Sequence, residues 1–182
     1  RSHGFPSSSS MFRNLMPLLA RDFHVLAPDL IGFGNSAAPS RESFEYTFEN
    51  LTGFLAALKV DQYFLYVFDY GAPIGFRLAM RQPERVLGIV SQNGNIYQEG
   101  LGPKWAERAK YWANPTPEPR AQYESAFAPE TIKGQYLTGE KPGTVGPDGY
   151  SLDIAHTTEP GYAERQDDLI FDYQTNVALY PQ

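Results

Sequence analysis

Cysteine is absent from the 182 residues, which removes disulfides, thiolate nucleophiles and Cys-based zinc or iron–sulfur sites together. Basic runs are absent too, and the net charge is −6. Nothing therefore offers the phosphate-neutralising surface that general nucleic-acid or anionic-membrane binding requires. No stretch approaches the ~20 apolar residues of a membrane span, and Arg1 to Ser10 holds no apolar signal-like core. The expectation is a cytoplasmic protein with no membrane or nucleic-acid partner, no metal and no cofactor. A small apolar or weakly polar ligand fits better, and oligomeric state is unread.

What is present is an ordinary globular composition, 42% hydrophobic, enough for one compact core. Phe12, Leu15, Met16 and Leu19 recur at helical spacing. Phe23 to Pro28 is a β-prone run ended by proline, and Asp29 to Arg41 is a loop rich in Gly, Ser and Pro. A second helix opens near Thr47, with a face of Leu51, Phe54, Leu55 and Leu58. Tyr63 to Phe68 reads as a strand buried on both faces, Gly71 to Gln82 as a helix, and Val86 to Val90 as another buried strand. The order α, β, α, β, α, β predicts parallel strands with helical crossovers on both faces of a sheet. After Gly94 the pattern changes: residues 101–182 hold nine prolines and seven of the twelve tyrosines. A helix is suggested by Leu101, Trp105, Arg108 and Trp112, and a Gly/Pro loop by Thr138 to Gly149. The division expected is an α/β core over 1–95 and a helical lid over 96–182.

The segment Val67-Phe68-Asp69-Tyr70-Gly71-Ala72 runs from strand to helix through one polar residue flanked by small ones. That is the geometry of a nucleophile elbow, where Gly71 and Ala72 keep bulk away from the turn. The plainer alternative is that Asp69 only caps the helix. Two further motifs weigh against it. His3-Gly4-Phe5-Pro6 resembles the oxyanion-loop motif HGxP, and Asp29-Leu30-Ile31-Gly32-Phe33-Gly34-Asn35-Ser36 resembles the loop D-x-x-G-x-G-x-S. Both belong to the epoxide hydrolase and haloalkane dehalogenase branch of the α/β-hydrolase superfamily, in which the elbow nucleophile is Asp. Gly32 to Ala37 also matches the dinucleotide fingerprint G-x-G-x-x-A, but Pro39 intervenes before helical spacing resumes, which disfavours that reading.

The resemblance covers Ser2 to about Asn93 and implies an α/β-hydrolase fold with a helical cap, truncated at both ends. It implies Asp69 as nucleophile and the backbone N–H groups of Phe5 and Tyr70 as the oxyanion hole. His3 would orient its loop, Asp29 and Ser36 would tie theirs down, and Phe5-Pro6 is a candidate cis bond. The family's reaction has two steps: the carboxylate alkylates itself on an electrophilic carbon, then a His-activated water hydrolyses the ester. None of His3, His24 and His156 follows a late strand, so the catalytic His and its acid are expected beyond Gln182. Strands lost from both ends would leave apolar sheet faces exposed in residues 1–182 alone.

Dehalogenases hold the leaving halide with a Trp after the nucleophile and often an Asn after the HG pair, where this chain has Tyr70 and Phe5. Epoxide opening instead needs O–H donors from the lid. Tyr173, in Asp172-Tyr173-Gln174-Thr175-Asn176, and Tyr111, beside Trp112, are the candidates, although lid tyrosines also serve as packing. An epoxide hydrolase-like enzyme acting on an electrophilic substrate and water is thus the expectation. A haloalkane dehalogenase is the alternative, and a non-catalytic binder on the same fold a third reading. Asn93 and Asn95 read as turn residues.

Overall fold

The computed structural model describes residues 1–116 and 124–180. Its centre is a parallel pair of strands, β1 (Tyr63–Phe68) and β2 (Val86–Gln92), in register from Phe64 opposite Gly88 to Phe68 opposite Gln92. Eight α-helices surround or follow them among the described residues: α1 (Met16–Leu19), α2 (Phe44–Ala57), α3 (Gly71–Arg81), α4 (Lys104–Ala113), α5 (Pro129–Leu137), α6 (Pro147–Thr157), α7 (Tyr162–Asp172) and α8 (Gln174–Val177). None is long and apolar enough to cross a membrane.

Strand alternation sends Leu65 and Val67 to one face, where they meet Leu51 and Leu55 of α2 and Ile74 and Leu78 of α3 in a single core. Removing such side chains from water stabilises the fold by roughly 1.5–3 kcal/mol each. The helix comes close because Gly75 has no side chain: a Cβ there would lie 2.3 Å from Val67 Cγ1. The other face differs from the expectation of strands buried on both sides. Phe64 of β1, 61% exposed, and Val90 of β2 lie on it, and on the Leu65 side Leu87 and Ile89 of β2 are exposed as well. On the Phe64 face the edge of Phe23 reaches the Phe64 ring and that of Phe12 the Tyr66 ring, over which the Arg1 guanidinium also lies.

Three further elements depart from the sequence reading. Phe23 to Pro28 carries no strand. Ladder pairing defines a strand, and the chain between this segment and β1 is only Arg1 and Ser2. The Arg1 ammonium donates to the Leu26 carbonyl, while Ser2 bridges in parallel to Val67. The helix expected from Phe12 to Leu19 is split into a 3₁₀ turn, Ser9–Phe12, and the one-turn α1. Pro17, which has no N–H, lies at the start of α1. Finally, α2 begins at Phe44, not Thr47, because the Ser43 hydroxyl accepts from Tyr46 N–H and caps it. Its buried stripe is accordingly Phe44, Thr47, Phe48, Leu51 and Leu55, and Phe54 and Leu58 stay exposed.

The C-terminal helices are held to this core by polar ties. Asp172 Oδ2 accepts from the Phe44 N–H at 2.8 Å, so α7 supplies a second cap for α2. Arg77 of α3 donates to the Asn176 side chain. Within the helical half, Trp112 Nε1 donates to the Ile170 carbonyl, which clips α4 to α7.

Candidate active site

Asp69 sits at the tip of β1, one residue before the cap of α3, with φ 47°. A left-handed conformation costs a non-glycine residue about 1–2 kcal/mol. The turn therefore holds Asp69 against its local preference, with its carboxylate at the N-terminal end of α3. Phe5 N–H donates to Asp69 Oδ1 at 2.8 Å, and the Tyr70 amide, next along the chain, also favours the charged carboxylate. Phe5 arrives through the loop His3-Gly4-Phe5-Pro6, whose Phe5-Pro6 bond is cis. Gly4 is required by contact: a Cβ on it would fall 2.2 Å from Asp69 Cβ.

The loop is fixed from behind by His3, which is fully buried. Its Nε2 accepts from the Leu30 N–H at 2.8 Å, so the proton is on Nδ1, facing the Gly4 carbonyl at 3.2 Å. Burial lowers the His3 pKa to about 4, which keeps the ring neutral at pH 7. Leu30 belongs to the next loop, organised by Asp29. One Asp29 oxygen accepts from Ser9 N–H at 2.7 Å and the other from Asn35 N–H at 2.9 Å, while Ser36 Oγ donates to the Asp29 carbonyl. No helix opens at Gly32 or Gly34; the next begins at Phe44. The geometry a dinucleotide phosphate needs is therefore absent here.

Burial raises the Asp69 pKa above the ordinary carboxylate range, opposed by the Phe5 and Tyr70 amides and by the Arg108 guanidinium. The site accordingly contains a poorly solvated carboxylate with Oδ1 held on the Phe5 amide. Around it stands an aromatic wall. The Tyr70 ring lies 6.2 Å from Phe5, 5.2 Å from Phe44 and 5.9 Å from Tyr173. Tyr173 stacks on Trp105 at 4.6 Å, and its hydroxyl pairs with that of Tyr180 at 3.3 Å. The Asp69 charge contributes to raising its pKa, after burial and Tyr180.

Tyr173 thus packs against Tyr70, the residue after Asp69. Tyr111 is buried in a second cluster with Phe127, Tyr162 and Ile170, its ring edge-on to Phe171. Asn93 has φ 50° and Asn95 Oδ1 accepts from Tyr97 N–H, as turn residues do. Sequence reasoning gave Arg108 no role beyond helix spacing, although its i, i+3 relation to Trp105 was visible. Its guanidinium lies 4.5 Å over that indole. The other histidines serve elsewhere or carry no site contact: His156 Nδ1 meets Glu159 at 3.0 Å. A surface cavity of about 480 Å³ between the Asp29 loop and α2, lined by Leu30, Asn35, Leu51 and Phe54 among others, does not include Asp69.

A parallel sheet edge that turns through a strained Asp into a helix, facing a cis-proline loop, defines the architecture of an alpha/beta hydrolase. The profile of the alpha/beta hydrolase fold family matches residues 2–128, and the chain belongs to that family. An uncharacterised hydrolase of Saccharomyces cerevisiae, YNR064C, is 43% identical over 188 residues, covering 98% of this chain and 64% of its own length. A haloalkane dehalogenase of Mesorhizobium japonicum is 41% identical over 91 residues, 48% of this chain and 28% of the relative. Among solved structures, a haloalkane dehalogenase loop variant from Bradyrhizobium elkanii superposes with TM-score 0.70 at 25% identity, covering 98% of this chain and 60% of that one. The epoxide hydrolase CorEH shares the fold with TM-score 0.73 at 20% identity, over 94% of this chain and 64% of its own. The chain thus spans less than two thirds of the length of these proteins.

Proposed function

We propose that the protein is a hydrolase that forms an alkyl-enzyme ester on Asp69, with an epoxide as the electrophile. The observation that carries this reading is the Phe5 amide donating to the carboxylate of a strained elbow, with the Tyr70 amide adjacent to it. A carboxylate is already ionised at neutral pH, so attack on an sp³ carbon needs no general base. With Oδ1 held by Phe5 N–H, Oδ2 is the attacking atom. When water later adds to the ester carbon, the same two amides would hold the oxyanion. Residues 1–95 then form the core and 96–182 the cap, which brings Tyr173 and Trp105 over Asp69. The base that activates water lies outside Arg1–Gln182 in this reading.

Epoxide is favoured over halide by what surrounds the nucleophile. The residue after Asp69 is a tyrosine, not an indole, and the Trp112 N–H is spent on Ile170. A departing halide would lack those donors, whereas a ring oxygen has lid hydroxyls nearby. The haloalkane dehalogenase reading is kept by the 41% identity over half the chain. Intact-mass analysis of the full-length protein after rapid quenching tests both: the expected result is one epoxide adduct, lost in Asp69→Asn. Alkylation by chloroalkanes and not by epoxides favours dehalogenation; no mark on Asp69 from either class returns the fold to a non-catalytic binder.

A further inference from the structure

The inward face of α4 carries Trp105, Arg108 and Trp112 at helical spacing, with the two indoles 6.0 Å apart and packed against the main core. A charged residue thus stands on the stripe where an apolar one is ordinarily found. Glu107 and Lys110, exposed on the same helix, pair with each other at 2.7 Å. Arg13, Arg41, Arg77 and Arg81 each meet a carboxylate. Among the described residues Arg108 forms no such pair, and its guanidinium lies 4.5 Å over the Trp105 ring. An indole face supports a guanidinium from one side and leaves its N–H groups, which point outward in its plane, to meet an acceptor.

This cation reaches the elbow. Trp105 stacks on Tyr173 at 4.6 Å, and Tyr173 lies 5.9 Å from Tyr70. Burial works against the ionised forms of Asp69 and Tyr70, and the Arg108 charge favours both. Alkylation of Asp69 turns its carboxylate into a neutral ester, so the anion that Arg108 faces at the elbow disappears as the reaction proceeds. A half-buried cation left without a counter-charge is unfavourable. A substrate that brings its own carboxylate supplies the replacement, and a guanidinium takes that group through two parallel N–H donors. We propose that Arg108 receives a carboxylate of the substrate, so that the electrophile this protein takes is an epoxide bearing a carboxylate on or beside the ring, with its apolar remainder against Tyr70, Tyr173 and Trp105. The inference rests on Asp69 being the nucleophile and adds to that reading a binding contact, with no further chemical step.

The test compares two epoxides on the full-length protein, trans-3-phenylglycidate and trans-β-methylstyrene oxide, which carry a carboxylate and a methyl group at the same carbon. Rapid-quench intact mass gives the rate of ester formation for each at subsaturating concentration. In Arg108→Gln the glycidate rate, taken relative to the methyl analogue in the same sample, is expected to fall about 30-fold. Partial unfolding would lower both rates alike and leave that ratio unmoved. Arg108→Lys, which keeps the charge and loses the planar fork, should bring the ratio back to within about tenfold of the parent. An equal slowing of both epoxides overturns the proposal, because Arg108 would then act only through the charge of Asp69. A lysine no better than glutamine overturns it as well. A methylstyrene oxide adduct on Asp69 with no glycidate adduct keeps the nucleophile and sinks the carboxylate; no adduct from either epoxide overturns both.

Discussion

Asp29 accepts two backbone N–H groups and Asp69 accepts that of Phe5, yet the protein shifts the two carboxyls in opposite directions. Burial works against the charge of both. At Asp29 the amides of Asn35 and Ser9 outweigh it and hold the carboxylate below its ordinary range; at Asp69 burial prevails. The difference is one of surroundings: Asp29 anchors a polar loop, and Asp69 faces Phe5, Tyr70 and their aromatic neighbours. A carboxylate in the first setting ties down backbone. In the second it is poorly solvated and correspondingly reactive.

The comparison breaks most visibly at Asp69 itself. Asp69→Asn should abolish ester formation, since a neutral amide is a poor nucleophile, and should raise stability by about 1 kcal/mol, roughly 2–4 °C in Tm. Asn tolerates positive φ and carries no buried charge. A Tm that falls would mean that the elbow charge is structural, like that of Asp29. Gly4→Ala should come next: the clash with Asp69 Cβ must move the loop, and a 1 Å displacement is worth about 100-fold in ester formation. Retained activity would show a looser site than the geometry describes.

At Asp29 the expected effects are reversed. Asp29→Asn should lower stability by about 1–3 kcal/mol in chemical denaturation while the mass adduct still forms. The acid limb sharpens this further. A lowered folded pKa makes the Asp29 contribution complete above about pH 4 and lost as pH falls through the folded value. His3, lowered to about 4, gives stability that is full above pH ~6.5 and lost progressively as pH falls to about 4, a loss on the order of 3 kcal/mol. Asp69 runs the other way, because its raised pKa penalises the charged form and the penalty fades as pH drops. The stability gap between Asp69→Asn and the parent should therefore narrow in acid; a gap that widens contradicts the burial argument. Smallest is Tyr173→Phe. With its hydroxyl already paired to Tyr180, ester formation should slow by about tenfold or under.

The stretch from Tyr63 to Arg81 was readable because each signal in it is local: an apolar run, one polar residue, then small residues before a helix. His3 and Phe5 were readable by motif. What failed depended on partners distant in sequence. Phe23 to Pro28 has strand composition, but pairing decides whether a strand forms; the exposed apolar residues of β1 and β2 match the open sheet faces expected and not the reading of strands buried on both sides. The start of α2 was missed because Ser43 sits four residues before the more obvious Thr47. Tyr162 and Tyr173 look alike in sequence; only the placement of Phe33, Phe127 and Tyr180 separates a hydroxyl with a partner from one without.

The bond from Phe44 N–H to Asp172 has a dynamic consequence. It ties the first turn of α2 to the residue next to Tyr173, and Arg77 holds Asn176 just beyond. Any opening that swings this end of the helical half must uncover the α2 terminus and strand a buried guanidinium in one cooperative event. Access to Asp69 is therefore cheaper by way of α4, where Arg108 and Trp105 are only half-buried. Hydrogen exchange would read the distinction directly: the Phe44 amide should exchange as slowly as the β1 core, and the amides of α4 well ahead of both.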